Sequence, residues 1–317
     1  MLRYCLKRLL LACGTLLIVS VLVFVGCEIL PGDVAEVALG QFATPEAVAT
    51  LRQQLGLNEP SATRYFQWLW ALLHGDWGVS TMTRFPVAQL LGERLANTAL
   101  LASATAVIAF PLAVLLGLVM ALRPHGWFDR GASMLVLVLA AMPEFLIGTA
   151  LVLVVSVNLR WLPATAGAHF NSFGALATTL ALPVLALTLI VMAQIARMTR
   201  TTVVNISESP FIEMADLKGL SRIRVIFYHA LINVTGPIAN IVALNMAYLI
   251  SGVVVVETIF AYPGLGRLMI DAVSARDMPV VQASAMVFCI AYTVLMAISD
   301  LLAALFNPRL RARLLES

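Results

Sequence analysis

Long apolar stretches separated by short polar segments make up most of this chain. A hydrocarbon core about 30 Å thick needs roughly 20 helical residues at about 1.5 Å rise each. Backbone polar groups in that core must be paired internally, and stretches of this length exceed barrel strands. The pattern therefore predicts six membrane-spanning helices, near residues 9–30, 98–122, 131–157, 176–196, 230–256 and 280–305.

The composition agrees with this pattern. Hydrophobic residues make up 61% of the chain and charged residues 12%, which excludes a water-soluble globule with a polar surface. We predict an all-α integral membrane protein that forms a single domain over residues 1–317. The four cysteines lie in or beside apolar spans without paired spacing, so they indicate neither a disulfide framework nor a zinc site.

The distribution of Arg and Lys orients the predicted spans. An even number of spans places both termini on one side, and that side carries the larger share of the cations. By the positive-inside rule both termini are expected in the cytoplasm. The first apolar run exceeds the h-region of about 7 to 15 residues in a signal peptide, so we interpret it as an uncleaved span. The cations on the cytoplasmic side are Arg3, Lys7, Arg8, Arg123, Arg130, Arg197, Arg200, Lys218, Arg222, Arg224, Arg309, Arg311 and Arg313.

Residues 31–97 form the long extracytoplasmic loop after the first span. Thr44 and Pro45 are typical of a helix start, and Gly56 ends the pattern that follows. A second amphipathic run, rich in aromatic residues, extends from Ser61 to His74. Aromatic side chains suit the membrane interface, so we expect short helices against the outer surface.

Each of the second to fifth predicted spans contains a proline: Pro111, Pro143, Pro183 and Pro237. A proline removes a helix hydrogen bond and bends the helix. Ordinary irregularity of membrane helices and the opening of a central path both explain these prolines, and the pattern alone does not separate the two.

Residues 197–229 form the long cytoplasmic loop, and a short charged helix is predicted inside it. Ser209 and Pro210 are typical of a helix start, and Gly219 is typical of its end. A helix this short is unstable alone, so it either docks in a groove on a partner or lies on the inner leaflet. Its apolar face consists of Phe211, Met214 and Ala215, and its polar side chains are Glu213, Asp216 and Lys218.

Glu144, near the middle of the third predicted span, is the main candidate for a functional charge inside the membrane. A central carboxylate costs at least a few kcal/mol unless it is paired, protonated or hydrated. Either it lines a water-filled path through the membrane, or it makes a structural contact between helices. We group it with Asn240 and Asn245 as candidate residues of such a path.

Enzymatic chemistry is not indicated. The chain has no Gly-Lys dipeptide, so a phosphate-binding loop of the G-x-x-x-x-G-K type is excluded. The four histidines are far apart without neighbouring ligands. No catalytic, metal or cofactor-binding residue is therefore assigned.

Several motifs resemble one family of transporters. Glu213-x-Ala215-x-x-x-Gly219 is similar to the EAA motif of binding-protein-dependent ABC importer permeases, with Met214 in place of the usual alanine. Further motifs resemble the dipeptide, oligopeptide and nickel permease subfamily over nearly the whole chain. They are Leu55-Gly56-Leu57 with Pro60, Gly75-Asp76-Trp77-Gly78-Val79-Ser80, Glu257-Thr258-Ile259-Phe260-x-x-Pro263-Gly264-Leu265-Gly266-Arg267, Arg276-Asp277-x-Pro279, and Asp300-Leu301-Leu302 through Asn307-Pro308-Arg309.

The resemblance implies a permease subunit in the bacterial inner membrane that translocates a substrate while partner subunits hydrolyse ATP. It implies four kinds of partner: a paralogous second permease, two nucleotide-binding ATPase subunits, an extracytoplasmic binding protein and the lipid bilayer. No nucleic acid is expected. This chain binds no cofactor, and the partner subunits use ATP and Mg. Short peptides are the expected cargo; nickel chelates, glutathione and other small solutes stay open, as does the different class of ion-gradient-driven secondary transporters and channels.

The resemblance also implies roles for individual residues. The EAA helix is the coupling helix of the family, seated in a cleft of the ATPase subunit. Movement of this helix is expected to reach an outer gate through the fifth span. The coupling residues would be Phe211, Glu213, Met214, Ala215, Lys218 and Gly219, and the outer gate or loop would contain Glu257, Pro263, Gly264 and Gly266.

Overall fold

The computed structural model describes residues 2–29, 34–54, 56–167, 172–207, 214 and 231–306. Within these ranges the ordered elements are helices, together with one isolated β-bridge between Val79 and Pro86. The α-helices are α1 (Leu2–Ile29), α2 (Val34–Leu39), α3 (Pro45–Gln54), α4 (Ser61–Leu73), α5 (Val87–Leu122), α6 (Trp127–Ala141), α7 (Glu144–Leu151), α8 (Phe173–Ser207), α9 (Leu231–Ile259), α10 (Leu265–Ala275) and α11 (Met278–Phe306).

Five helices of the described chain are long and apolar enough to cross a membrane: α1, α5, α8, α9 and α11. The pair α6 and α7, with the π-helical segment Val152–Asn158 after α7, meets the same criterion as one unit but is bent by 106°. The five single helices and the bent pair correspond in order to the six predicted spans. The third span thus differs from the single helix expected over 131–157.

Pro143 explains the break in the third span. A proline ring disfavours helical dihedrals at the residue before it, and Met142 is extended with φ −79° and ψ 134°. The other three span prolines, Pro111, Pro183 and Pro237, lie inside α5, α8 and α9, which continue through them. The predicted bending is therefore strongest at Pro143.

The chain divides into two compact units. The first comprises Met1, Ala99–Tyr262 and Val294–Ser317, and the second comprises Leu2–Thr98 and Pro263–Thr293.

In the first unit, α8 packs along α9 and α6, and α7 packs on α9. Gly148 of α7 lies so close to α9 that a Cβ there would be 2.9 Å from Ile259 Cδ1. A glycine at this point therefore allows the half-helix α7 to lie against α9. The core of this unit includes Leu101, Phe110, Leu182, Leu187, Val253, Phe260 and Tyr262, which are all buried.

The second unit contains the helices of the long loop that follows α1. Helices α3 and α4 have the bounds that Thr44, Pro45 and the Ser61–His74 pattern predict. The Thr44 hydroxyl accepts a hydrogen bond of 3.3 Å from the Ala47 amide at the start of α3. The described part of residues 31–97 therefore contains the short helices α2, α3 and α4.

Helix α4 packs on α1 through aromatic side chains. The Phe24 ring lies 5.4 Å from Tyr65 and 5.9 Å from Trp68, measured between ring centroids. The Tyr65 hydroxyl also hydrogen-bonds the buried Ser20 hydroxyl at 2.9 Å. In contrast, only 11% of the most apolar stretch of α1 is buried within this chain. Most of this span is therefore left to contact lipid or another chain.

A second cluster in this unit joins the start of α5 to α10 and the start of α11. It contains Val87, Leu91, Leu265, Ala272, Val280 and Ala283.

Candidate functional site

The break in the third predicted span places a carboxylate at the start of α7, next to α9. Glu144 is the first residue of α7 and is half-buried. Its Oε1 accepts a hydrogen bond of 3.0 Å from the Tyr248 hydroxyl of α9, and the Gln194 side chain of α8 lies near that hydroxyl. At Gly252 of α9 a Cβ would lie 3.6 Å from Glu144 Oε2. We call Glu144, Tyr248 and Gln194, which come from three helices, the polar cluster.

The two asparagines of the predicted path have different surroundings. Asn245 is buried, and its Nδ2 donates to the Ile241 carbonyl at 2.8 Å. Its Oδ1 has no hydrogen-bond partner in the described part of the chain. Asn240 is exposed. Among the described residues, the structure joins Glu144 to Tyr248 by a hydrogen bond and shows no hydrogen bond between Glu144 and either asparagine.

A buried ion pair lies at the end of α8 that leads into the predicted coupling loop. The Arg200 guanidinium of α8 donates two hydrogen bonds to the Asp129 carboxylate of α6, at 2.5 and 2.6 Å. Asp129 is only 2% exposed and also accepts from the His125 amide at 2.8 Å. Bidentate pairs of this kind fix orientation as well as adding energy. Sequence reasoning missed Asp129, because its partner lies 71 residues further along the chain.

Helix α5 meets the same end of α8 at Gly117. A Cβ at Gly117 would lie 2.6 Å from the Ala196 carbonyl oxygen and 2.7 Å from Thr199 Cβ. This approach requires a residue without a side chain. Together with the Asp129–Arg200 pair, it fixes α8 to both α5 and α6.

The coupling residues themselves are mostly outside the described ranges. This holds for Phe211, Glu213, Ala215, Lys218 and Gly219, which fall in 208–213 and 215–230. Met214 is described; it is helical and its side chain is 57% exposed.

Glu257, the first residue of the predicted outer gate, lies near the end of α9 in the first unit and is fully buried. In the segment that follows α9, burial and the nearby Glu257 carboxylate raise the pKa of Tyr262 to about 12, so this phenol stays neutral at physiological pH. The Ala166 amide donates a hydrogen bond of 2.8 Å to the Phe260 carbonyl.

The other three predicted gate residues lie in the second unit, where α5 holds the start of α10. Asn97 Nδ2 donates to the Pro263 carbonyl at 2.9 Å, and the Thr98 hydroxyl accepts from the Leu265 amide at 2.8 Å. Gly264 precedes α10 in an extended conformation, and Gly266 is buried in its first turn. Thr98 thus caps α10 from a different helix.

Two of the sequence motifs meet in the second unit through Asp277. Its carboxylate accepts hydrogen bonds from the Ser80 hydroxyl, from the Thr81 amide at 3.0 Å and from the Thr81 hydroxyl at 3.1 Å. Ser80 is 1% exposed and Asp277 is 4% exposed. The motifs Gly75–Ser80 and Arg276–Pro279 therefore form one buried contact, which the spacing alone did not predict.

Comparison with known proteins assigns the family. Residues 113–312 match the family of binding-protein-dependent transport system inner membrane components, and residues 1–116 match the N-terminal family of the same transport-system membrane components. The chain belongs to this family.

Individual relatives match over nearly their full length. The chain is 34% identical over 309 residues to a probable peptide ABC transporter permease protein, y4tP, of Sinorhizobium fredii, with 97% of this chain and 99% of the relative covered. It is 36% identical over 308 residues to a putative peptide transport system permease protein of Brucella abortus, with coverages of 96% and 98%. It is 34% identical over 311 residues to the glutathione transport system permease protein GsiC of Salmonella typhimurium, with coverages of 98% and 99%.

A solved structure shares the fold. The inward-facing MetNI methionine ABC transporter matches with a TM-score of 0.50 at 16% identity, covering 70% of this chain and 96% of that chain. The chain is thus a multi-pass inner-membrane permease subunit of an ABC importer, which works with separate ATPase subunits and a substrate-binding protein. This family assignment decides against the alternative of an ion-gradient-driven transporter or channel.

Proposed function

We propose that this permease imports short peptides delivered by an extracytoplasmic binding protein. The observation that supports this cargo is the full-length similarity to permeases named for peptides and glutathione, at 34–36% identity over 96–98% of the chain. Glutathione is itself a short peptide, so these names agree on one class of cargo. The chain acts as a single permease domain over residues 1–317 and pairs with a paralogous second permease as a heterodimer.

The cargo path is proposed to include Glu144, Asn240 and Asn245. Glu144 is supported by its place at the break of the third span and by its half-buried carboxylate. The outer gate is proposed to involve Glu257, Pro263, Gly264 and Gly266.

The ATPase subunits are proposed to act on residues 197–229. Phe211, Glu213, Met214, Ala215, Lys218 and Gly219 form the coupling helix that seats in an ATPase subunit. This segment joins α8 to α9, so movement of it reaches both helices. Through Arg200 and its contact with Asp129, the movement of α8 is carried to α6.

Both termini are proposed to be cytoplasmic, with residues 31–97 on the extracytoplasmic side of the membrane. The excess of Arg and Lys at the termini and in the second and fourth loops supports this orientation.

Charge reversal at Glu213 tests the proposed function. The complete transporter, with its second permease, ATPase subunits and binding protein, is reconstituted in proteoliposomes, and uptake of trialanine is measured together with ATP hydrolysis. A misplaced charge in a docked interface costs several kcal/mol, so Glu213→Lys is expected to lower uptake per ATP by about tenfold or more.

Glu46→Lys, the same change on the exposed helix α3, serves as the matched control and should keep wild-type coupling. Correctly inserted Glu213→Lys protein with unaltered coupling would contradict the proposed role of this helix. ATP-dependent uptake of a nickel chelate in place of any peptide would contradict the proposed cargo.

A further inference from the structure

The Glu144 carboxylate has no cationic partner among the residues that the structure describes. Its hydrogen bond there comes from the neutral phenol of Tyr248. Asp129, in the other half of the same broken span, has a bidentate guanidinium partner in Arg200. A carboxylate at the centre of a membrane costs about 3 kcal/mol or more on insertion scales unless it is paired, protonated or hydrated, and a cation would stabilise the charged form of Glu144.

The polar cluster is open to an incoming group. Tyr248 is 40% exposed, and Glu144 and Gln194 are partly exposed. A Cβ at Gly252 would already contact Glu144 Oε2 at 3.6 Å and Leu187 Cδ2 at 3.4 Å, so no open space lies on that side of the carboxylate. A small cationic group would reach the carboxylate through the exposed parts of Glu144 and Tyr248.

The chemistry of the cluster fits a protonated amine. An ammonium group has three N–H donors, and the Glu144 carboxylate, the Tyr248 phenol oxygen and the Gln194 amide oxygen can each accept a hydrogen bond. A divalent metal ion would need several His, Cys, Asp or Glu ligands. The described part of the chain contains no group of three such side chains suited to a metal ion.

We propose that the polar cluster of Glu144, Tyr248 and Gln194 binds the protonated amine of the cargo during its passage through the membrane. This inference rests on the proposed function, because a short peptide brings such an amine at its N-terminus. The cluster would then bind the N-terminal amine, which peptides have in common whatever their side chains.

Uptake of two matched cargoes tests the proposal. Trialanine and N-acetyl-trialanine are compared in proteoliposomes containing the complete transporter, each at a concentration that saturates the isolated binding protein. Wild-type protein should prefer trialanine. Glu144→Gln keeps the size of the side chain and one hydrogen-bonding oxygen but loses the charge. Because hydrogen bonds to charged groups are stronger than those to neutral groups, trialanine uptake should fall about tenfold. Uptake of the acetylated peptide should not change.

Two further variants separate recognition from folding. Tyr248→Phe keeps the carboxylate and should reduce the preference for the free amine about threefold or more, because the ammonium group loses one hydrogen-bond acceptor. Glu46→Gln makes the same chemical change as Glu144→Gln on the exposed helix α3 and should behave as wild type. Loss of a charge from the membrane interior favours insertion, so Glu144→Gln is expected to fold.

Four outcomes would overturn the proposal. If wild-type protein takes up both peptides equally, or if Glu144→Gln keeps the wild-type preference, the cluster does not recognise the amine. An equal loss of both peptides in Glu144→Gln indicates a structural contact. Loss of assembly with the second permease indicates that the cation comes from that subunit. A separate outcome is that wild-type protein takes up neither peptide with ATP. In that case the proposed function itself fails, and the inference fails with it.

Discussion

Asp277 fixes two segments that are 197 residues apart in the chain. Its carboxylate accepts three hydrogen bonds from Ser80 and Thr81, and the Ser80 hydroxyl in turn accepts from the Thr83 amide at 2.9 Å. Buried donors that lose an acceptor cost about 1–3 kcal/mol each. This one side chain therefore sets the position of the loop before α5 relative to the turn between α10 and α11.

Replacement of Asp277 by asparagine is expected to lower stability. The amide group keeps one acceptor oxygen but turns the other into a donor, which cannot accept from Ser80 or Thr81. We expect a loss of about 2 kcal/mol in the free energy of unfolding, as for hydrogen bonds to charged groups, measured as a lower midpoint in thermal unfolding in detergent.

Asp271→Asn on α10 is the matched control. The Asp271 side chain is 66% exposed and its oxygen lies 3.6 Å from Arg267, and exposed pairs of this kind contribute little. A midpoint for Asp277→Asn that equals that of Asp271→Asn would show that the buried contact does not stabilise the second unit.

At the scale of elements, local signals in the sequence predicted the short helices well and the ends of the long ones poorly. Helices α3 and α4 follow from a cap, a proline and two glycines that act within a few residues. Hydropathy marks only the apolar part of a helix, so α5 begins at Val87 and not at 98, and α8 continues to Ser207 and not to 196. Helix formation extends into polar sequence where caps or packing stabilise it.

The candidate site was predictable only in part, because most of its contacts depend on how the helices pack. Glu144 stood out because a carboxylate is rare within a span, whereas its partners Tyr248 and Gln194 are ordinary residues of membrane helices. The Asp129–Arg200 pair and the approach of Gly117 to α8 depend on how helices pack, and no spacing in the sequence encodes them.

The packing of α5 on α8 can be tested at Gly117. In Gly117→Ala the new Cβ would lie 2.6 Å from a backbone oxygen of α8, so the helices must separate. Overpacking of this kind costs about 1–3 kcal/mol, and we expect a lower thermal midpoint together with lower transport.

Gly92→Ala, on the same helix α5, has no atom within 4 Å of the new Cβ. Alanine is a better helix former by about 1 kcal/mol, so this control should keep or raise the midpoint. If both variants behave alike, the close approach of α5 and α8 does not exist in the membrane.

At the scale of the whole molecule, the Asp277 contact leads to a prediction of the number of membrane crossings. Ser80 and Asp277 touch within one compact unit, so we expect them on the same side of the membrane. Between them the chain passes through α5, the α6–α7 pair, α8 and α9. If α5, α8 and α9 each cross once, they alone would put Ser80 and Asp277 on opposite sides, so we expect the bent pair to cross as well. With α1 and α11 this predicts six crossings, with both ends of the chain on the side opposite to Ser80.

Labelling of single cysteines in intact cells tests this topology. With Cys5, Cys13, Cys27 and Cys289 replaced by alanine, Thr165→Cys in the exposed segment after α7 should react with a membrane-impermeant thiol reagent from outside. His125→Cys, between α5 and α6, should react only after permeabilisation, and Gln41→Cys in the long loop should react from outside in every case. A re-entrant α6–α7 pair would instead place Thr165→Cys on the same side as His125→Cys. That result would be incompatible with the Ser80–Asp277 contact, because the chain would then cross the membrane an odd number of times between these two residues.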